Sequence, residues 1–407
     1  VAISNIQLGL LDMSLMRLAL VFVGLLAIAV PALAEPRTMV IGYLGEQRKL
    51  PLPLGPLDEA VTDDGLQGAR LAIADDAGTG RFLGQQFRLQ ERVLKPGEAP
   101  AEAVNAFAAA GISFVVADLD AAQLLQASAA PGAERMMLFN SRDPDDSLRQ
   151  EDCRRNVLHT IPSRAMLADA LAQYLVWKGW QHWFLLTGPH PDDLAMAAAF
   201  RRAATRFGAQ ITIDKPWTFR PANGRADTGH VTLQTEIPAA TQVGDYDVLV
   251  VADEADEFGA YLEGRTALPR TVAGTQGLVV ATGWSAVDEE WGATQLQDRF
   301  HKLAGRWMLP SDYAAWLAVR SVGEAATRLH SLDPTAIAKY LRSDDFLLAG
   351  FKGQGLSFRP WDGQMRQPIL IAGPRLLVSS SPQPGFLHQR TPLDTLGIDL
   401  EESTCKR

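Results

Sequence analysis

Three short polar clusters each follow an apolar run with the character of a buried strand. They are Asp118-Leu119-Asp120 after Phe114–Ala117, Asn140-Ser141-Arg142-Asp143 after Leu138-Phe139, and the stretch from His159 to Arg164 after Leu158. In an open α/β sheet, ligands lie beyond the carboxyl ends of the strands, so these clusters are candidate binding positions. Arg142 and Arg164 have the planar fork that grips a carboxylate through two hydrogen bonds. Thr160 and Ser163 offer hydroxyls, and a helix opening at Ser163 would turn backbone amides toward an anion. Ser163 also fits the plain role of helix N-cap. In the second half of the chain, Glu254, Asp256 and Glu257 follow a strand ending at Val251, where a solvated loop is the alternative to a ligand contact. Trp284 and Trp291 follow the last strands of that half and offer a flat face for stacking, or else pack in the core. Tyr43, Trp316 and Trp361 read as core residues.

The acidic residues allow a second chemistry. Asp118, Asp120 and Asp143, with Asp145 and Asp146 nearby, are hard oxygen donors that could converge on a calcium-like or trivalent cation. Against this, Asp143-Pro144-Asp145-Asp146 has the form of a helix start, with proline at the first helical position and acids in the first turn. The spacing also fails the DxDxDG pattern of an EF-hand loop. Catalytic motifs are absent: there is no GxSxG elbow, HExxH pair, P-loop or GxGxxG after a strand, and Gly78-Thr79-Gly80 with Gly84 reads as a turn-rich loop. His159, His182 and His190 stand isolated. The sequence therefore reads as a non-enzyme with no resident cofactor.

The elements that must position these residues alternate. Strands are expected at Thr38–Leu44, Phe87–Val93, Ile112–Ala117 and Met136–Phe139, with helices from about Asp63, over Pro100–Ala110 and over Ala121–Ala129. A second cycle follows: a helix over Ser163–Trp177, a strand Trp183–Leu186, a helix Asp192–Phe207 ended by Gly208, and strands at Gln210–Ile213 and Asp247–Val251. Alternation of this kind implies an α/β fold with parallel sheets covered on both faces and right-handed crossovers. Two long helices, Ser311–Leu329 and Pro334–Ser343, come next, and Gly355–Phe358 with Pro368–Ile371 reads as a β-pair. Gln47–Pro56 and the Gly/Thr-rich stretch Pro221–His230 read as irregular.

At the start of the chain, Met16-Arg17, the apolar run Leu18–Val30 and Pro31-Ala32-Leu33-Ala34 have the order of a secretory signal peptide cleaved after Ala34. The run is shorter than the about 20 residues a membrane-spanning helix needs. Without residues 1–34, a chain of 407 still exceeds the about 250–300 residues that one hydrophobic core serves, so two domains are expected. With a net charge of −9 and no basic stripe, the chain lacks the footprint of a nucleic-acid binder. Its two cysteines, Cys153 and Cys405, belong to no metal-binding cluster. In an oxidising compartment they can pair, tying the tail to the first domain.

Several segments resemble the leucine/isoleucine/valine-type periplasmic binding proteins. They are Gly65–Leu94 (GLQGARLAIADDAGTGRFLGQQFRLQERVL), Gly111–Gln126, Met136–Asn140, Ala165–Gly188 and Asp312–Arg328. Asn156–Trp180, Val272–Trp284, Glu289–Arg306 and Phe358–Arg375 resemble a narrower group, the ABC-transporter binding proteins associated with pyrroloquinoline quinone (PQQ)-dependent alcohol oxidation. The resemblance implies a type I binding protein with two Rossmann-like lobes and a multi-crossover hinge. The implied lobes are 38–160 with about 285–345, and 161–284 with about 346–390, followed by a tail at 391–407. It further implies a periplasmic location, hinge closure on a small solute, and permease and ATPase subunits as partners. The solute stays open between PQQ, an alcohol-derived acid, an amino acid and a metal ion. A sensor or accessory module for a PQQ-dependent dehydrogenase is the alternative role. Amino-acid binders of this family place small hydroxyl residues at the first two clusters and an acid for the ligand's ammonium near Glu254. Here the first cluster carries two acids and the second a cation, which weakens a plain branched-chain amino acid as the ligand.

Overall fold

The computed structural model describes residues 37–48, 60–218 and 236–406. The signal-peptide reading, most of the irregular stretch at Gln47–Pro56 and that at Pro221–His230 lie outside the described residues.

Strand β3 (Phe114–Asp118) and strand β8 (Val248–Ala252) are buried at every position. Such runs of β-branched and aromatic residues suit central parallel strands packed on both faces. In the first sheet β3 pairs in parallel with β1 (Arg37–Glu46) and β4 (Met137–Asn140), and β4 pairs with β5 (Val157–His159). With β2 (Gln85–Leu94) the order is β2-β1-β3-β4-β5. The two-residue period sorts the side chains. Phe114 and Val116 join one core with Tyr43 and Phe139, while Val115 and Ala117 join another with Leu44 and Leu138.

The second sheet repeats this logic. β8 lies between β6 (His182–Thr187) and β9 (Thr271–Gly274), all parallel, with β7 (Gln210–Pro216) outside β6 and β10 (Val279–Thr282) beyond β9. Trp183 and Leu185 face one core, and Phe184 and Leu186 the other. Antiparallel β14 (Ile369–Ala372) and β15 (Leu377–Ser381) close the edge next to β10. The expected pairing of Gly355–Phe358 with Pro368–Ile371 does not form. Instead β12 (Gly355–Phe358) pairs with β11 (Leu348–Ala349) and β13 (Met365–Arg366) in a small third sheet. Phe358 and Met365 are drawn into the first core, whereas Ile369 and Ile371 belong to the second.

Helices α1 (Leu66–Gly80), α2 (Pro100–Ala109) and α3 (Ala121–Ala129) follow β1, β2 and β3. The Gly78-Thr79-Gly80 stretch read as a loop is the last turn of α1; the chain turns at Gly84, in the left-handed region. Helix α4 (Arg164–Trp177) starts at Ser163, whose side chain accepts from the Met166 amide at 3.3 Å. Helices α5 (Pro191–Phe207), α6 (Ala293–Ala304), α7 (Pro310–Leu329) and α8 (Pro334–Leu341) come later in the chain. The Asp143–Asp146 helix start shifts by two residues and becomes a 3-10 turn at Asp146–Arg149, capped by Asp145, so Pro144 precedes the cap.

Among the described residues the chain crosses between the two sheet systems three times: from β5 to α4, from β10 to α6, and from β13 to β14. Beyond β15, Asp394 is buried between Arg359 at 2.9 Å and Arg366 at 2.8 Å, and the Gly397 amide donates to Asp169 of α4 at 2.8 Å. The tail ends in a disulfide between Cys405 and Cys153, which lies between the 3-10 turn and β5 of the first sheet system. No helix among the described residues is long and apolar enough to cross a membrane.

Candidate functional site

Strand order reverses once in each parallel sheet. β2 and β3 flank β1 on opposite sides, and β7 and β8 flank β6 on opposite sides. Loops leaving adjacent strands diverge at such a point and leave a crevice at the carboxyl ends.

At the first reversal, Asp118 ends β3 and is buried. It accepts from the Tyr43 hydroxyl and from Arg142 Nε. Arg142 Nη2 also donates to Asp64 Oδ2 at 2.5 Å, and Asp64 accepts from the Ser311 hydroxyl at 2.9 Å. Arg48 Nη2 donates to the Asp118 carbonyl at 2.6 Å. Burial disfavours the Arg142 charge, but Asp118 and Asp64 outweigh it and hold the guanidinium protonated more firmly than usual. Burial likewise works against Asp64, yet Arg142 prevails and keeps its carboxyl below the ordinary range. The Tyr43 hydroxyl is pushed well up by burial and by the Asp118 charge. Gly65 is required here: its φ is +83°, and a Cβ would sit 2.5 Å from Asp118 Oδ2. Gly68 is required where α1 meets α7, since its Cβ would fall 1.9 Å from the Asp312 carbonyl oxygen.

At the second reversal, Arg164 meets Glu254 just beyond β8, with Nη2 to Oε2 at 2.6 Å. The same guanidinium contacts Asp192 at the start of α5 at 2.8 Å and Asp145 of the first half at 3.8 Å. Burial opposes its charge, and Glu254 and Asp192 restore it and more, so Arg164 stays firmly protonated. Burial pushes the Glu254 carboxyl up while Arg164 pulls it back.

The other expected site residues scatter. Ser141, Thr160 and Ser163 are buried with their hydroxyls engaged by the backbone: Ser141 donates to the Ala117 carbonyl at 3.4 Å and Thr160 to that of Asn140 at 3.2 Å. Trp284 is buried and stacks on Tyr313 with ring centroids 4.3 Å apart, and its Nε1 is a buried donor without a partner among the described residues. Trp291 is 67% exposed, with φ at +52°, and lies against Gly353. Asp120 is spent on capping α3 through the Gln123 amide at 2.8 Å, and Asp143 accepts from the Asp145 amide at 2.8 Å. The alternative metal set Asp118, Asp120 and Asp143 therefore does not assemble; among the described residues no group of three His, Cys, Asp or Glu side chains is placed to hold a metal ion.

Sequence reading passed over Arg48, Asp64 and Asp192 as site residues, and named Asp145 only among the cation donors. Arg48 follows β1 directly, so the rule that found the other clusters would have reached it had the strand been extended to Glu46. The remaining three come from helix starts and loops distant in sequence, and no local pattern marks them. Lys352 was passed over as well. It is buried between crossovers, donating to Gln367 Oε1 at 2.8 Å and the Pro368 carbonyl at 2.9 Å. Burial pulls its ammonium down to about 7, against the attraction of Asp288. Gln367 in turn donates to the Thr160 carbonyl at 2.8 Å, and Gln364 to that of Ile161 at 3.0 Å, so the third crossover is stitched to the first.

Residues 53–228 match the family model described as periplasmic binding protein. A branched-chain amino acid ABC transporter periplasmic ligand-binding protein from Burkholderia xenovorans LB400 superposes with a TM-score of 0.66 at 16% identity, over 90% of this chain and 99% of that one. The leucine-, isoleucine-, valine-, threonine- and alanine-binding protein of Brucella ovis, in a closed conformation, superposes with a TM-score of 0.66 at 15% identity, over 91% and 100%. The fold is that of the type I periplasmic binding proteins. A branched-chain amino acid transporter substrate-binding protein from Streptococcus pneumoniae, in complex with isoleucine, shares this binding-protein fold with a TM-score of 0.60 at 15% identity, over 84% and 99%. No curated protein sequence matches the chain. In a two-lobed binding-protein fold, the three crossovers are the connections about which the lobes can turn.

Proposed function

We propose that the chain is the non-catalytic solute-binding component of an ABC uptake transporter. It is exported to the periplasm and delivers its solute to permease and ATPase subunits. The observation that carries this reading is the pair of parallel sheets, each with an arginine–carboxylate pair at its strand-order reversal, joined by three crossovers. The lobes are 38–160 with about 285–366 and 161–284 with about 367–390; the boundary expected near 345 moves to the β13–β14 crossover, because Phe346, Leu348, Leu356, Phe358 and Met365 pack in the first core. Solute stabilises the closed form by its differential affinity for that form over the open one.

The solute in this proposal is an anionic planar compound of PQQ-dependent alcohol metabolism, either PQQ or an acid derived from an alcohol. Arg164 supplies the charge, while Arg142 stays committed to Asp118 and Asp64. A solute carboxylate can exchange for Asp192, whose side chain is 69% exposed, without stripping Arg164 of its bond to Glu254. Trp291 supplies an exposed flat face. Free amino acids fit less well, because Glu254 and Arg142 are already paired with side chains of the protein.

Calorimetry on ligand-stripped protein against PQQ, phenylacetate, isoleucine and calcium tests this. The expected result is saturable binding of PQQ or phenylacetate, weakened at least tenfold by Trp291→Ala, with no binding of calcium. Saturable binding of isoleucine alone would replace the proposed solute with an amino acid. Binding of none of the four would overturn the solute class.

A further inference from the structure

We propose that the amino-terminal end of the first sheet carries a second, separate site, which binds a small solute with two or more phosphate or carboxylate groups. Here β3, β4 and β5 begin, and α8 packs across them to leave a concavity of about 530 Å³. That size lies within the range of small-molecule sites, about 300–1,000 Å³. Arg135, Arg155, Lys339 and Arg342 line it, with Glu134 as its one acidic lining residue.

This concentration of cations runs against the character of the chain, whose net charge is −9. Arg342 Nη2 donates to the Arg155 carbonyl at 2.8 Å and Nη1 to the Ala338 carbonyl at 3.3 Å, which fixes its guanidinium close to another arginine. Burial, and then the charge of Arg155, pull the Arg342 proton affinity down. Cations lining a concave surface focus a positive potential that attracts multivalent anions. Guanidinium forks match phosphate and carboxylate oxygens in pairs, and the lysine adds a point charge.

The cations stay within the concavity and the chain as a whole is acidic, so a compact solute fits better than a long nucleic acid. The site is distinct from the crevice at the reversals, because β3 runs five residues from Phe114 to Asp118 between them. At about 3.3 Å per residue the two ends stand roughly 15 Å apart.

Titration calorimetry of the full chain with tripolyphosphate and with citrate, at low and high salt, tests the inference. At least one should bind saturably and weaken with salt, and the stronger of the two tells phosphate from carboxylate. Exposed residues carry the test variants. Arg135→Glu with Lys339→Glu should weaken binding at least tenfold while leaving the melting midpoint within a few degrees, and Lys339→Gln alone should give an intermediate loss. Absence of saturable binding by either probe would overturn the site, as would binding unchanged in the double variant. Capture of polyglutamate with neither small anion bound would overturn it in favour of an acidic protein partner.

Discussion

The two strand-order reversals hold the same chemical pair, an arginine on a carboxylate, in different mechanical settings. At the first, Asp118, Asp64, Tyr43, Arg48 and Ser311 surround Arg142, and the side chain of Asp118 is almost wholly buried. At the second, Arg164 sits at the first crossover and gathers acids from β8, α5 and the first half of the molecule, two of them substantially exposed. One pair is an internal lock. The other straddles the first crossover, with two of its acids open to solvent and, in the proposed function, exchangeable for a ligand. Burial decides the difference, because an ion pair is costly to break where water cannot replace the lost partner.

The largest effect should come from the lock. Asp118→Ala leaves Arg142 and Arg48 without their shared acid and should cost about 3–5 kcal/mol in denaturant unfolding, the range for a broken buried pair. Glu254→Ala at the second reversal should cost only about 1 kcal/mol, since Asp192 still meets Arg164. Equal losses would erase the distinction between the two. The disulfide provides the next test, because it adds a covalent tie from the tail to the first half. Replacing Cys153 and Cys405 together with serine should cost about 2–4 kcal/mol, and small-angle scattering should show a wider unliganded form. An unchanged scattering profile would show that the tail does not limit opening.

The buried groups near the crossovers give pH tests. Burial holds the Asp169 carboxyl up at about 6, despite Arg202 and Arg206, against about 3.9 when unfolded. Between these values the folded state binds the extra proton, so stability should fall as pH rises from about 4 to about 6. Asp169→Asn should flatten that slope. Lys352 has the opposite sign of dependence: with its ammonium at about 7 when folded and about 10.4 when unfolded, the unfolded state binds more protons between them. Stability relative to Lys352→Met should therefore rise with pH across that window. A flat difference would mean that the ammonium is solvated. The smallest change in stability belongs to Trp291→Ala, within about 0.5 kcal/mol, although it should lower affinity for the proposed planar solute.

Much of the fold was legible because burial on both faces leaves a continuous apolar run, as in Phe114–Ala117 and Leu249–Val251, and because Ser163 and Gly208 mark helix ends locally. The fate of Gly355–Phe358 was not legible. Short strands of similar composition can join either sheet, and packing of Phe358 and Met365 into the first core decided it. Of the candidate site residues, Arg142 and Arg164 were found by their place after strands, but their partners were not. Asp64 and Asp192 lie 78 and 28 residues away from them, distances across which no sequence period carries information.

By itself the sequence determined the alternation of strands and helices, the order of the two α/β cycles and the positions of charged residues at strand ends, because each follows from local periodicity and burial. Only the tertiary structure decided which charges neutralise one another. It spent Asp120 and Asp143 on local backbone amides, gave Asp118 to Arg142, Arg48 and Tyr43, and brought four cations around one concavity at the far end of the first sheet. Charge pairing depends on distances of a few ångströms and on exclusion of water, and both are set by how the helices pack on the sheets.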